Sequence, residues 1–371
     1  MAHIEDRGSG GRLRWRVRWR DPAGRHRSKS FERKADADRY LHSLSVDLDQ
    51  GTWRDPRRAE IIIADYAERW YSTRLARWKP STAASQRNLL DSRVLPRWGR
   101  YPIGAIEYAE AAEWVADLAR SGLSASRVRH CAGVLAAILD HAVRDRRLVS
   151  NPVRGIDLPR LPIRPRHVYL THEQVAALAG AIGRHRPLIL LLAYCGLRWS
   201  EAVALRPRDI DPARRRITID RALVDVGGEI VEGAPKTWHH RSVPIPGIVL
   251  DEIRPLLERE PDEPLFRARR GSVLRASNFR ARAWSPALEA AGLPPMRIHE
   301  LRHTAASLAV SSGANVLAVA RMLGHRDPSV TLGIYADLFD SDLDDVAARL
   351  DSAARAAISG GTVVPIRSRR E

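Results

Sequence analysis

From residue 12 to residue 20 the chain alternates without a break: Leu13, Trp15, Val17 and Trp19 interleave with Arg12, Arg14, Arg16, Arg18 and Arg20. Period two predicts a strand with one apolar face and one face made of guanidinium groups. Asp21-Pro22-Ala23-Gly24 supplies a turn, and residues 25–31 continue as a second basic strand. The period then lengthens. Ala37, Tyr40, Leu44 and Leu48 fall on one side of a helix that Gly51 closes. Between Pro56 and Pro152 the pattern is helical throughout. Tyr66 and Trp70 mark one helix, and a second starts at Ser81 or Thr82 after Pro80 and runs to Leu95-Pro96. A third is closed by Gly122, and a fourth begins after Ser124 with Val128, Cys131, Leu135, Ile138, Leu139 and Ala142 in its stripe. Pro159, Pro162 and Pro165, interleaved with arginine, predict an extended basic linker.

The second half mixes helices and strands. Thr171 and Gln174 stand at capping-box spacing. An apolar helix follows and halts at Gly196, after which Arg198 emerges and Ser200 can cap a next helix that carries Glu201. Residues 216–224 and 229–246 are strand-like, with Lys236 in the hairpin region between them. Residues 298–313 form a helix that places His299 and Arg302 on one face, at i and i+3. Asn315 caps another helix, Gly324 ends it and His325 follows at once; Asp327-Pro328 then starts a short helix bearing Tyr335. The tail predicts an amphipathic helix with Leu343, Val346 and Leu350 on one side.

Charge narrows the choice of partner. The 371 residues include 61 Lys+Arg against 44 Asp+Glu, a formal net charge of +17 that attracts polyanions, nucleic acid first among them. The arginine-faced strand fits that partner through phosphate contacts. Hydrophobic residues make up 44%, enough for packed cores, and the length suggests two or three domains. Cys131 and Cys195 are the two cysteines, so neither a disulfide framework nor a cysteine metal site is expected, as suits a reducing cytosol. No apolar run approaches the roughly 18 residues of a membrane span, and the first residues lack the apolar core of a secretion signal. These features predict a soluble intracellular protein.

Residues 299–303 read HELRH and so match the H-E-x-x-H pattern of zinc proteases. A zinc site needs a third ligand. After Glu300 the next glutamate is Glu371, and Ala306 stands where the longer version of the motif has glycine. Arg302 shares the face of His299, which would set a fixed cation beside a dication. An aspartate such as Asp327 stays open as a ligand, yet the balance predicts no metal.

Taken in order, these segments resemble the tyrosine recombinase (phage integrase) family. CGLRWSEAVAL is similar to its first arginine motif, with Arg198 the arginine and Glu201 the acidic residue that often follows; APKTWHHRSVPI resembles the hairpin bearing its lysine, Lys236. IHELRH is similar to its H-x-L-R-H box, giving His299, Arg302 and a supporting, structural His303; LGH supplies His325, and TLGIYADL the nucleophile Tyr335. Ala336-Asp337 departs from the histidine that often follows the tyrosine. The resemblance extends over nearly the whole chain. It implies a multidomain, mainly α fold with small β elements: a small β-sheet plus helix that binds arm-type DNA (1–56), a four-helix SAM-like core-binding domain (59–155), the linker (156–167), an α+β catalytic domain (168–340) and a C-terminal helix and tail (341–371).

The implied activity is site-specific cleavage and rejoining of DNA through a 3′-phosphotyrosine, integrating or excising a phage or other mobile element, without metal, ATP or other cofactor. The residue types suit it. A tyrosine hydroxyl with an ordinary pKa of about 10 is a poor nucleophile without help, and an anionic phosphodiester repels any nucleophile. Arg198 and Arg302 would clamp the non-bridging oxygens with His325 as a further donor; Lys236 would protonate the departing 5′ oxygen and His299 would handle the tyrosine proton. The implied partners are double-stranded attachment sites of core and arm type and a homotetramer on paired sites, with room for an excisionase or DNA-bending protein, in the cytoplasm on the nucleoid. A type IB topoisomerase-like enzyme shares the chemistry, although strand relaxation has no use for an arginine-faced accessory module. A non-catalytic DNA-binding protein is the remaining alternative, and the filled set of six positions speaks against it.

Overall fold

The computed structural model describes residues 2–8, 14–162, 168–233, 241–335 and 342–360. They form two compact units, Met1–Ile163 and Arg164–Glu371. The fold is mainly helical with small antiparallel sheets.

In the first unit, β1 (His3–Asp6), β2 (Trp15–Arg20) and β3 (His26–Phe31) pair antiparallel in that order. The alternation of β2 works as the pattern requires. Val17 and Trp19 are buried against Ala37 and Leu44 of α1 (Lys34–Asp49), whereas Arg18 and Arg20 are exposed on the other face. β1 was not legible, because four residues with a single apolar side chain show no alternation. It changes the arginine face. Its register sets Glu5 opposite Arg16, and the Glu5 carboxylate lies 3.5 Å from Arg18. Asp6 accepts from Arg14 Nε at 2.8 Å and Nη2 at 2.7 Å. The face is therefore basic but not uniformly so, and Arg12 lies outside the described residues.

The helices of this unit are α2 (Ile63–Leu75), α3 (Pro80–Leu89), α4 (Leu95–Trp98), α5 (Tyr108–Arg120) and α6 (Ala125–Arg144). Trp70, Trp98, Leu135 and Ile138 are fully buried among them. Ser124 caps α6 by accepting from Arg127 N, and the stripe expected on that helix is its buried face. The helix expected from residue 81 to Pro96 is interrupted by a π turn, Leu90–Val94. Pro96 lacks an N–H and its ring crowds the carbonyl four residues back, so the preceding turn widens rather than breaks. The same device recurs ahead of Pro286 in the second unit, where α11 (Ala276–Phe279) passes through a π turn, Arg280–Trp284, into α12 (Ser285–Ala290).

The second unit is built on α8 (Arg186–Cys195), whose residues from Leu188 to Ala193 are all buried. Around it lie α7 (His172–Ala181), closed at its start by both halves of the Thr171–Gln174 capping box, α10 (Gly247–Ile253) and α13 (Glu300–Ser311). α9 (Trp199–Ala202) follows α8 directly. β4 (Ile210–Asp211), β5 (Arg216–Ile219) and β8 (Arg241–Pro244) make one sheet; β6 (Ala222–Val226) and β7 (Glu229–Gly233) make a separate hairpin. The strand-like run 229–246 is thus split between two sheets. α14 (Val316–Leu323), α15 (Pro328–Tyr335) and α16 (Asp342–Gly360) complete the unit.

Candidate active site

Two helix ends meet in the second unit. α8 stops at Gly196 and α14 at Gly324, each glycine in the left-handed region, with φ of +65° and +67°. A helix C-terminus leaves carbonyls without partners and carries the negative end of the helix dipole. Arg302, on α13 and only 3% exposed, answers both ends. Its Nη1 donates to Gly196 O at 2.6 Å and its Nη2 donates to Leu323 O. The approach is close enough that a Cβ on Gly196 would lie 2.7 Å from Leu323 Cδ2. Burial, with the charge of Arg198 added, brings Arg302 down to about 9, which still leaves it protonated at neutral pH.

Arg198 sits two residues beyond Gly196, at the start of α9. Its Nη1 donates to Glu201 Oε1 at 2.8 Å and its backbone N donates to Glu201 Oε2 at 2.9 Å. Burial alone would raise the Glu201 carboxyl. The guanidinium of Arg241 and the donors of Arg198 outweigh it and hold Glu201 at about 2. Arg241 supplies a fork of two bonds, Nη1 to Oε1 at 3.0 Å and Nη2 to Oε2 at 2.5 Å. The sequence reading missed Arg241, though a signal existed. Residues 241, 243 and 245 share one face of the alternation, and Val243 and Ile245 are buried. A charge at an inward position of a strand demands a partner.

His299, at the N-cap position of α13, meets His303 edge-on with ring centroids 5.2 Å apart; burial of its ring and then the charge of Arg302 lower its pKa. His303 is the ring that touches the tyrosine: its Nδ1 lies 2.8 Å from Tyr335 Oη. Tyr335 is 1% exposed and packs among Ala306, Val310, Val319 and Leu323, and burial pushes its hydroxyl well above the usual phenol range despite the nearby Arg302. His325 N closes the end of α14 on Ala320 O at 2.9 Å, and its Nδ1 lies 2.9 Å from the hydroxyl of fully buried Thr331. With Thr331 as donor, Nε2 would carry the hydrogen and remain available.

The letters of HELRH are put to other uses. Glu300 accepts from Arg297 at 2.8 and 3.2 Å, His303 bonds Tyr335, and Asp327 accepts from Ser329 N at 2.9 Å. Arg198, Glu201, His299, Arg302, His303, His325 and Tyr335 therefore belong to one unit, as do the ends of the elements that carry them. Lys236, with His239 and His240, lies outside the described residues. Arg14, Arg16, Arg18 and Arg20 lie in the first unit. Three guanidiniums, two of them on the buried Glu201 carboxylate and the third, of Arg302, on helix-end carbonyls, leave a cationic site suited to a phosphodiester.

The phage integrase family model matches residues 168–342, and its central-domain model matches residues 63–157. The integrase of Mycobacterium phage D29 is 27% identical over 325 residues, 82% of this chain and 84% of that protein. The prophage phiRv2 integrase of Mycobacterium tuberculosis (strain ATCC 25618 / H37Rv), named as putative, is 28% identical over 340 residues, 86% of this chain and 88% of its own. Among solved structures, the Tn1549 transposon integrase in complex with a circular intermediate DNA superposes with a TM-score of 0.66 at 21% identity, over 77% of this chain and 99% of that one. A lambda integrase tetramer bound to a Holliday junction gives a TM-score of 0.58 at 17% identity, over 88% and 96%. These likenesses establish the shared fold.

His325 carries a pH consequence. Burial, then the charges of Arg302, Arg198 and Arg241, lower its ring from 6.5 to about 4. Between those values the unfolded chain binds a proton that the folded chain does not, so stability is full above about 6.5 and falls as the pH drops toward about 4. His325→Gln should flatten the fall in melting temperature across that window, measured by thermal denaturation from neutral to acid pH. His299, lowered in the same direction, would supply a remaining slope. Equal slopes in the two proteins would refute the desolvated, cation-flanked setting of His325.

Proposed function

The chain belongs to the phage integrase family of tyrosine recombinases and is a site-specific recombinase of mobile elements; from that footing we propose how its residues divide the work. Arg198 and Arg302 hold the two non-bridging oxygens of the scissile phosphate, with His325 Nε2 as a third donor. Tyr335 Oη attacks phosphorus, the bond to the 5′ oxygen breaks and a 3′-phosphotyrosine remains. Lys236 gives its proton to the departing 5′ oxygen, and an imidazole takes the phenol proton. The observation that carries this reading is the meeting of Arg302 with the ends of α8 and α14, where Arg198 and His325 emerge beside it.

The geometry adds one role. His299 was assigned the tyrosine proton on motif grounds, whereas His303 is the ring bonded to Tyr335. We assign His303 to the resting state, in which it holds the hydroxyl inside an apolar pocket, and His299 to the attack, after Tyr335 has left that pocket. Cleavage then requires α15 or its ends to shift.

The proposed division of the chain is that given by the motifs: arm-type DNA binding in 1–56, core-site binding in 59–155, a linker at 156–167, catalysis in 168–340 and a docking tail in 341–371. The basic face of β2 supports the first assignment. By likeness to the lambda integrase tetramer on a Holliday junction, we extend the reading to a homotetramer on paired attachment sites, acting in the cytoplasm on the nucleoid. Among the described residues no helix is long and apolar enough to cross a membrane.

Three experiments bear on these assignments. Tyr335→Phe should bind a duplex spanning the junction of the circularised element as tightly as wild type, yet form no covalent complex that survives SDS. EDTA should leave the wild-type complex intact; its loss, restored by zinc, would return the HELRH metal reading. Removal of residues 1–56 should abolish binding to arm sites in gel shifts while core-site binding persists, and salt should weaken both steeply. Undiminished arm binding by the truncated chain would exclude that module as a DNA reader. For Lys236, a 5′-bridging sulfur leaves as a thiolate of ordinary pKa near ~8.5 and needs little protonation. Lys236→Ala should cleave ordinary DNA slowly in single turnover and recover most of its rate on the sulfur substrate, whereas Arg302→Ala should not. No recovery would move the acid role elsewhere, with His240 the first to test.

A further inference from the structure

Arg241 is a buried charge to which the catalytic scheme gives no work. Its side chain is 8% exposed, and the Glu201 carboxylate it grips is fully buried. Glu201 accepts four bonds, two from the Arg241 fork and two from Arg198, one of the latter a backbone N–H. Among the described residues, one guanidinium nitrogen of Arg198 is bonded, Nη1. A buried ion pair is weak evidence for stability, since well-packed apolar residues commonly serve as well or better. Orientation is the better account of such a cluster here.

The geometry of the four bonds says what is being oriented. A lone Arg–Glu pair closes into a bidentate fork, which would take two of the nitrogens of Arg198. Arg241 already occupies the carboxylate in that way, so Glu201 can reach Arg198 through one nitrogen and its backbone only. Among the described residues, the other guanidinium N–H groups of Arg198 stay available to an anion. Arg241 is in turn held from behind. A Cβ on Gly324 would fall 2.8 Å from Arg241 Cδ and 2.9 Å from its Nε, so the bare glycine that ends α14 is the surface on which the side chain lies. The same glycine precedes His325. Arg241 also opens β8, directly after the segment that carries Lys236.

We propose that Arg241 is a positioning residue for strand cleavage: it fixes Glu201 so that Glu201 engages one edge of Arg198, and so reserves the remaining N–H groups of Arg198 for the scissile phosphate. The proposal rests on the assignment of Arg198 to phosphate binding made above. It adds a role for a residue outside the six motif positions.

The test uses the full chain and single-turnover cleavage of a nicked duplex spanning the junction of the circularised element, with DNA affinity and melting temperature measured alongside. Arg241→Lys keeps the charge and loses the fork. Cleavage at saturating DNA should slow by on the order of 10²-fold, the cost of misplacing a catalytic group, while DNA affinity holds. In the double variant with Arg198→Ala the loss should be no greater than for Arg198→Ala alone. A methylphosphonate at the scissile position removes the negative charge that Arg198 offsets, so it should restore cleavage by Arg198→Ala and by Arg241→Lys alike. Arg241→Gln, which keeps a donor, serves in the same assays if the lysine variant melts early. Losses that multiply in the double variant, or a methylphosphonate that rescues Arg198→Ala but not Arg241→Lys, would overturn the proposal and leave the active site standing. Arg198→Ala cleaving phosphate DNA as fast as wild type would sink the site assignment itself.

Discussion

The guanidinium of Arg302 joins the C-terminal ends of two helices, and most of the site's geometry follows from that one cation. Carbonyls at the end of a helix need donors, and a buried arginine needs acceptors. Each requirement meets the other through Gly196 O and Leu323 O. The left-handed glycines then turn the chain out of each helix, so Arg198 and His325 emerge beside the guanidinium that holds both ends. Placing a residue after a helix end is thus equivalent to placing it near Arg302.

Such a cluster of like charges is held by few anions. Among the described residues, Glu201 is the carboxylate bonded to both Arg198 and Arg241, and its oxygens are fully occupied. The site therefore keeps a surplus of positive charge in the absence of DNA. Burial first, and then that surplus, lower the pKa of both His299 and His325, and the His325 ring, at about 4, is neutral around neutral pH.

Much of this was legible from the chain, and the reasons for the exceptions are physical. Arg198, Arg302 and His325 stand next to helix punctuation, Gly196, the 298–313 stripe and Gly324, and punctuation is a local property. His303 is read as a supporting residue, but the sequence could not name its partner, because Tyr335 comes 32 residues later and belongs to another helix. Spacing cannot report a contact between elements. The fork of Arg241 on Glu201 spans 40 residues and was hidden for the same reason. β1 escaped notice because it is short and polar, and the acids it brings to the arginine face could be seen only once its register was known. The π turns before Pro96 and Pro286 are local, but a widened turn and a broken helix leave the same letters in the sequence.

The burial of Tyr335 also bears on fidelity. Uncovering a phenol that is 1% exposed and bonded to His303 costs free energy before any phosphate is touched. That cost is the same whichever DNA lies in the site. Only a duplex whose contacts stabilise the uncovered form more than the covered one can supply it. A basic protein that binds any DNA electrostatically would then sit harmlessly on most of a chromosome. On the proposed role of Tyr335 as nucleophile, discrimination between sequences would be exercised at its exposure, separately from affinity, and a genome full of weak sites would be left uncut.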